Sequence, residues 1–419
     1  MDSERLVRKE RIKRENDKML YTGIYFAILL LLTFFCIVKK ANVLGTILFA
    51  LYTGSALFAL IAVGQGNIST NGVQLFPYFF LAGSLTIFFY PFYRNKTVFN
   101  AGMLNKEIHR NYILFAYFYI ICAVISVWCY IPSVKALLGS GSWYLNRSLV
   151  YADKVTYPYR NTIEHFAMLF SSYTEVLALI VGFSIFRMKK NTKTGVLLVA
   201  LTIARTTCSA IYTSSRGMII QLAILVLAIY CFFYKDIEEN KRRFVTVLII
   251  IAILVITPYI IDVTVSRFSG TRGAGNSVIQ YLGQPPIVFN RGVFTSEKIA
   301  WGNYGFGALI GSSFSPEDIG GTWGTGFFTF VGWIFIDWGI LGVVLIGVIC
   351  AFFFSGIIKK QEYQISDLFL LFTYYYTLAK GVFVIGREYC YILIASLVIY
   401  ALLKFVAEKY VFTIRDYRI

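Results

Sequence analysis

The sequence predicts an all-α polytopic integral membrane protein with about eleven transmembrane helices, within a range of ten to twelve. Three observations predict it. The 419 residues are 58% hydrophobic and 15% charged, with a mean hydropathy of +0.67, whereas soluble domains carry about 25% charged residues. Apolar stretches near the roughly 20 residues needed to cross a bilayer recur along the chain. Lysine and arginine sit in short runs that flank those stretches, which is the pattern that sets membrane orientation. A water-soluble core cannot enclose this much apolar surface, so lipid must solvate much of the chain.

Taken in order, residues 1–18 form a basic tail with seven Lys or Arg side chains. The tail is long and charged and lacks a small-residue cleavage site, so the first apolar run reads as a retained helix rather than a signal peptide. Candidate spans cover about 20–38, 43–63, 75–92, 111–131, 163–186, 194–213, 217–234 and 244–261, which complete the membrane part of residues 19–261. Gly45, Gly54 and Gly182 lie inside them, and small residues let helices approach closely in lipid. The last three spans, about 326–355, 366–386 and 389–406, fall in residues 326–419, which end in a cytoplasmic tail. Basic clusters at Arg94/Lys96/Lys106/Arg110, Arg187/Lys189/Lys190/Lys193, Lys235/Lys241/Arg242/Arg243 and Lys359/Lys360 all fall on one side, the cytoplasm. The loops 132–162 and 262–325 then lie outside, the second as a large extracytoplasmic loop between the eighth and ninth helices. One conflict remains: with eleven helices the basic tail also falls outside, against the rule.

Composition excludes several functions. A net charge of +17 permits nucleic-acid binding, but its placement beside apolar runs assigns it to membrane orientation. The seven cysteines form no C-x-x-C pair, and with only His109 and His165 a histidine-rich metal site is excluded. Neither a phosphate-binding P-loop nor a G-x-G-x-x-G turn occurs, so no nucleotide cofactor is expected. No carboxylate pair has metal-binding spacing, so no metal requirement is expected either.

Candidate functional residues fall in four groups. The turn Thr213-Ser-Ser-Arg-Gly217 places Arg216 beside the free amides of a helix start, which suits phosphate; a plain turn with a snorkelling arginine is the alternative. Arg205 lies about three turns deeper on that hairpin, and Asp337 and Lys380 are equally out of place in apolar stretches. They read either as a polar cavity or as a structural ion pair of Asp337 with Arg205 or Lys380. The outer loops carry Arg147, Lys154 and Arg160, then Arg267, Arg272, Arg291 and Lys298, a cation excess that a concentrated anion would explain. For proton transfer the outer candidates are Glu164, His165, Glu175, Asp153 and Asp262. Arg160 and Glu164, four apart, also fit a simple ion pair. Aromatic side chains such as Trp143, Tyr281, Trp301 and Trp323 suit either sugar rings or an interfacial belt.

Three phrases carry a family likeness: the Ser215-Arg-Gly217 turn, the run Tyr281-Leu-Gly-Gln-Pro-Pro-Ile-Val-Phe-Asn290, and Phe335-Ile-Asp-Trp-Gly-Ile-Leu-Gly342. With the overall layout, the chain resembles the Wzy-type polymerases of O-antigen and capsule repeat units, in the all-helical membrane glycosyltransferase class. Some of those relatives carry an arginine followed, after ten intervening positions, by glycine; here Arg272 precedes Gly283 and Arg291 precedes Gly302 at that spacing. The resemblance implies transfer of a growing glycan from undecaprenyl pyrophosphate onto one lipid-linked repeat unit at the outer face of a bacterial plasma membrane. It implies catalytic roles for Arg216, Arg272 and Arg291, with Glu164 or His165 as base. Arg147, Arg160, Arg205, Arg267, Tyr281, Asn290 and Asp337 are the substrate-binding candidates. Membrane lipid, a flippase and a chain-length regulator are the implied partners. An O-antigen ligase and a lipid-linked oligosaccharide flippase are the competing readings. No inverted repeat or pair of broken helices is legible in the sequence, and with the large outer loop this argues against the flippase.

Overall fold

The computed structural model describes residues 2–94, 101–104, 110–140, 158–188, 192–243, 245–247, 254, 274–307, 320, 327–383 and 388–407. Among them no strand forms; Leu104 and Tyr363 share an isolated bridge. The helices are α1 (Asp2–Val38), α2 (Val43–Gly64), α3 (Leu75–Arg94), α4 (Arg110–Ser140), α5 (Thr162–Tyr173), α6 (Glu175–Arg187), α7 (Thr192–Tyr212), α8 (Arg216–Phe233), α9 (Ala274–Val288), α10 (Phe330–Ile358), α11 (Ile365–Lys380) and α12 (Glu388–Leu402). The all-helical, multi-pass character expected from hydropathy is therefore present.

Six of the described helices are long and apolar enough to cross a membrane, seven if α5 and α6 form one bent span. They are Asp17–Val38 within α1, α2, α3, Arg110–Leu137 within α4, α7 and α10. The basic tail is not separate: it is helical and continuous with the first span. The shorter apolar segments Gly217–Phe233 and Leu393–Phe405 fall below the roughly 20 residues of a full crossing. The expected span at 244–261 lies almost wholly outside the described residues. The single helix expected over 163–186 is broken, with α5 and α6 inclined by 67°. The break has a local cause. Thr174 donates its hydroxyl to the Phe170 carbonyl at 2.6 Å, and Ser171 donates to Met168 at 3.2 Å; side-chain hydroxyls of this kind compete with the helix ladder.

The chain divides into two compact units. The first comprises residues 1–98, 271–359 and 377–391. Here α2 packs against α1 and α9, and α3 against α10. Tyr25 stacks on Tyr78 at 4.9 Å, and Phe294 on Phe335 at 4.9 Å. Tyr52 donates its buried hydroxyl to the Leu378 carbonyl at 2.9 Å. The run Tyr281–Asn290, expected as outer loop, is instead helix: most of it belongs to α9, which continues into a π-helical turn, Phe289–Val293. Pro285 and Pro286 stand inside α9, where proline removes an amide donor from the carbonyl four residues earlier. For Pro286 that carbonyl is Leu282, and Ser55 of α2 supplies the missing bond at 2.8 Å. Gly283 sets the approach of the two helices. A Cβ there would stand 2.5 Å from the Phe58 carbonyl carbon and the Ala59 nitrogen.

The second unit comprises residues 99–270, 360–376 and 392–419. In it α7 packs on α4 and on α6, and α5 on α4. The α6–α7 contact is close because Gly182 and Gly195 face each other: a Cβ on Gly195 would lie 2.8 Å from the Gly182 carbonyl oxygen. Phe232 of α8 meets Phe372 of α11 edge-on at 5.7 Å.

Gly283→Ala tests the proline-containing helix. Helix propensity alone would favour alanine by about 1 kcal/mol, whereas forced overpacking costs about 1–3 kcal/mol. The clash is with backbone, which cannot rotate away, so a lower unfolding temperature in detergent is expected. A raised one would contradict the α2–α9 packing.

Candidate functional site

The second unit holds a surface cleft built at the start of α5. Asn161 caps that helix, its side-chain oxygen accepting the Glu164 amide at 2.9 Å. Glu164 turns back and accepts the Arg160 amide at 2.6 Å. The reach back resembles a capping box shifted by one residue, to the amide that precedes the N-cap, and it sets negative charge at the helix start, where such charge is favoured. The contact between Arg160 and Glu164 therefore runs through the Arg160 main chain, because the helix begins only after Arg160. A cleft of about 190 Å³ opens there, lined by Trp128, Cys129, Pro132, Ser133, Pro158, Arg160 and Glu164. It brings a carboxylate, a cation and an exposed indole together. His165 is adjacent in sequence, but its ring stacks on Tyr159 at 4.2 Å and 11°.

Deeper in the same unit the seam between α4 and α5 stays polar. Ser126 and Ser171 share a hydrogen bond at 3.0 Å, and Tyr119 donates to the Ser171 carbonyl at 3.3 Å. Beyond the break lies Arg205, buried and ion-paired with Glu175 in the first turn of α6. Arg205 also donates to the Thr206 hydroxyl at 2.8 Å, which in turn donates to Glu175 at 2.8 Å. Arg205 is thus neutralised by Glu175, and not by Asp337, the partner the sequence allowed for it. The hairpin explains the choice. Facing Gly182 with Gly195 puts Glu175 level with residue 202, one turn from Arg205. Glu175 Oε1 and Arg205 Nε are buried with no hydrogen-bond partner.

The first unit holds the remaining described candidates. Tyr281 stacks on Phe383 at 5.5 Å and meets Phe327 edge-on at 5.1 Å, so its ring serves internal packing. Asn290 is fully buried. Its side chain accepts the Gln74 amide at 2.9 Å and donates to the Gln74 carbonyl at 2.7 Å. Arg291 donates to the Ser69 carbonyl at 2.7 Å. Together these two residues clasp the α2–α3 connection to the π-helical turn. Asp337 accepts the amides of Tyr304 and Gly305, both at 2.9 Å. Main-chain donors meet this carboxylate, where the sequence reading offered Arg205 or Lys380.

Arg147, Arg267 and Arg272, with Lys154, Asp153 and Asp262, lie outside the described residues. Arg216 opens α8 as anticipated, and its side chain also lies outside them. The sequence reading missed Trp128, Cys129 and Asn161. Asn161-x-x-Glu164 is a capping signature that marks the start of α5, while nothing local marks Trp128 and Cys129, which reach the cleft only because α4 packs on α5. No protein-family description, no curated protein and no solved structure matches the chain.

The buried pair makes a double-substitution prediction. Removing one partner of a buried ion pair costs about 3–5 kcal/mol, whereas an apolar replacement of both is close to neutral. Glu175→Leu and Arg205→Met are each expected to lower thermal stability in detergent strongly, and the double variant to recover most of the loss. Additive losses would show that the two charges do not compensate each other.

Proposed function

We propose that this chain polymerises lipid-linked oligosaccharide repeat units by glycosyl transfer at the outer face of a bacterial plasma membrane, without a metal. The reading includes the full topology of about eleven spans, with residues 262–325 on the non-cytosolic side. A growing glycan on undecaprenyl pyrophosphate is the donor, and one repeat unit on the same lipid is the acceptor. The acceptor hydroxyl attacks the anomeric carbon, the bond from that carbon to the pyrophosphate oxygen breaks, and the proton passes to a base. A flippase and a chain-length regulator are the partners this scheme needs.

The observation that carries the reading is the Glu164 cleft. Glycosyl transfer needs an acceptor for the hydroxyl proton and fixed cations where leaving-group charge develops. Glu164 and Arg160 stand in one cleft beside Trp128, whose flat face suits a sugar ring. Glu164 is preferred over His165 as base, because it lines the cleft while the imidazole is stacked on Tyr159. Arg216, Arg272 and Arg291 remain the proposed pyrophosphate ligands. For Arg291 this role is added to its bond with Ser69.

One specific observation favours the flippase reading. Transporters place discontinuous helices around their sites, and two helices here are interrupted, at Thr174 and at Gly339. The leaflet in which a single repeat unit accumulates in a deletion strain separates the readings: outer for a lost polymerase, inner for a lost flippase. Accumulation of finished lipid-linked polymer would point to a ligase.

Glu164→Gln is the decisive variant, since a glutamine amide oxygen can still accept the Arg160 amide and the Asn161 cap of α5 is unchanged. It is expected to slow polymerisation by about 10²–10⁴-fold, the usual contribution of a general base, at normal protein level. Arg216→Ala and Arg272→Ala should abolish long-chain glycan, with lysine restoring little because the planar fork is lost. Normal glycan ladders in all these variants, or topology mapping that places residues 262–325 in the cytosol, would overturn the proposal.

A further inference from the structure

The turn Ala300–Gly307 is built for a place without water. Five consecutive amides, those of residues 303–307, have protein acceptors. Those of Tyr304 and Gly305 bond to the Asp337 carboxylate. Asn303 bonds to the Ala300 carbonyl at 3.0 Å, Phe306 to Gly302 at 2.8 Å and Gly307 to Asn303 at 3.1 Å. The Ala300 amide itself bonds to the Ile336 carbonyl at 2.8 Å. Irregular backbone at membrane depth is tolerated only when protein satisfies it, and this turn meets that condition through its own turn bonds and the Asp337 carboxylate.

The side chains point the same way. Trp301 is 73% exposed, and its backbone is in the left-handed region at φ 51°. That conformation is unusual for a bulky residue and costs about 1–3 kcal/mol. Gly302 follows at φ 85°. The strained pair holds the indole outward and edge-on to Trp338 at 6.5 Å. Trp338 precedes the break in α10 at Gly339 (φ 64°). From there a stripe of exposed apolar residues runs down α10 through Leu341, Leu345, Ile349 and Phe352. These recur at helical spacing on a segment apolar enough to cross a membrane, so they face lipid. Ile299 lies over Gly339, its Cδ1 2.9 Å from where a Cβ would stand. The exposed residues Ile299 and Trp301 thus continue the lipid-facing stripe, and the exposed Lys298 can snorkel toward water.

We propose that the turn Ala300–Gly307 is embedded in the headgroup–acyl boundary of the bilayer, with Trp301 in contact with lipid. The partner is a lipid surface, and Asp337 serves as the acceptor that replaces water for the turn's amides. This assigns the acid at residue 337 a role in binding the membrane, in place of the substrate-binding role expected from sequence. It is independent of glycosyl transfer and stands or falls separately.

The test uses the full-length chain in phospholipid nanodiscs. Tryptophan emission of wild type and Trp301→Phe is compared with dibrominated phosphatidylcholine in the bilayer, and separately with aqueous iodide. The component lost in Trp301→Phe is expected to be quenched by bromolipid and protected from iodide. A component quenched by iodide and indifferent to bromolipid overturns the proposal. So does protection of Trp301 by a soluble oligosaccharide, which would make the indole a sugar platform. Hydrogen exchange of wild type needs no variant: amides of residues 303–307 are expected to be slowed at least about tenfold relative to free peptide. Asp337→Ala is expected to abolish that protection. Exchange at the free-peptide rate in wild type would likewise overturn the proposal.

Discussion

Arg205 sits inside apolar helices because Glu175 and Thr206 meet its guanidinium there. Lipid offers no hydrogen bonds, so every polar group placed among spanning helices must find its partner within the protein. The same constraint recurs through the described residues. Ser55 answers the carbonyl that Pro286 strands, Asn290 reproduces two main-chain bonds with Gln74, and Asp337 gathers the amides of a turn. In each case the out-of-place residue in an apolar stretch is the partner of a broken backbone or a second charge. Intramembrane polarity in this chain is thus tied to where its helices are interrupted.

The interruptions shape the functional readings. At Thr174 a broken helix turns α5 away from α6, and α5 carries Glu164 to the cleft. At Gly339 the break in α10 lets Asp337 turn to the turn at residues 302–305. A transporter would use such breaks to coordinate cargo along a path. An enzyme would use them to fix a base beside a cation. Glu164, which α5 carries, accepts the Arg160 amide beside the helix start, and Asp337, ahead of the second break, accepts two main-chain amides; backbone donors hold each carboxylate in place.

Hydropathy made the long spans legible, since a run of about twenty apolar residues has few alternatives in lipid. Residues 43–63 and 75–92 correspond closely to α2 and α3. Three things were not legible. The 67° bend depends on hydroxyls of Ser171 and Thr174, which do not lower the hydropathy of the stretch enough to divide it. The helicity of Ala274–Val288 was hidden by Pro285 and Pro286, which read as loop until Ser55 of a distant helix is seen to serve Leu282. The partner of Arg205 required knowing that Gly182 faces Gly195; sequence identified Glu175 and Arg205 separately but could not set their register. Among the site candidates, Glu164 was named for proton transfer and does line a cleft. Tyr281 and Asn290 were named for substrate and instead hold α9 and its π-helical turn in place.

The spacing of arginine and glycine takes on a different meaning in this light. Gly283, at the end of one such spacing, is required because α9 lies against the backbone of α2. Gly302, at the end of the other, is required because φ is 85° beside a strained tryptophan. Both glycines thus have structural causes that would hold in a protein with no catalytic role. The spacing itself then adds nothing to the case for an anion site, and that case rests on the arginines alone. Arg291 binds the Ser69 carbonyl through Nη1, but a guanidinium carries five donors, and one bond to a carbonyl leaves its charge uncompensated by that contact. A pyrophosphate bound at Arg291 would therefore add to an existing clasp without displacing it.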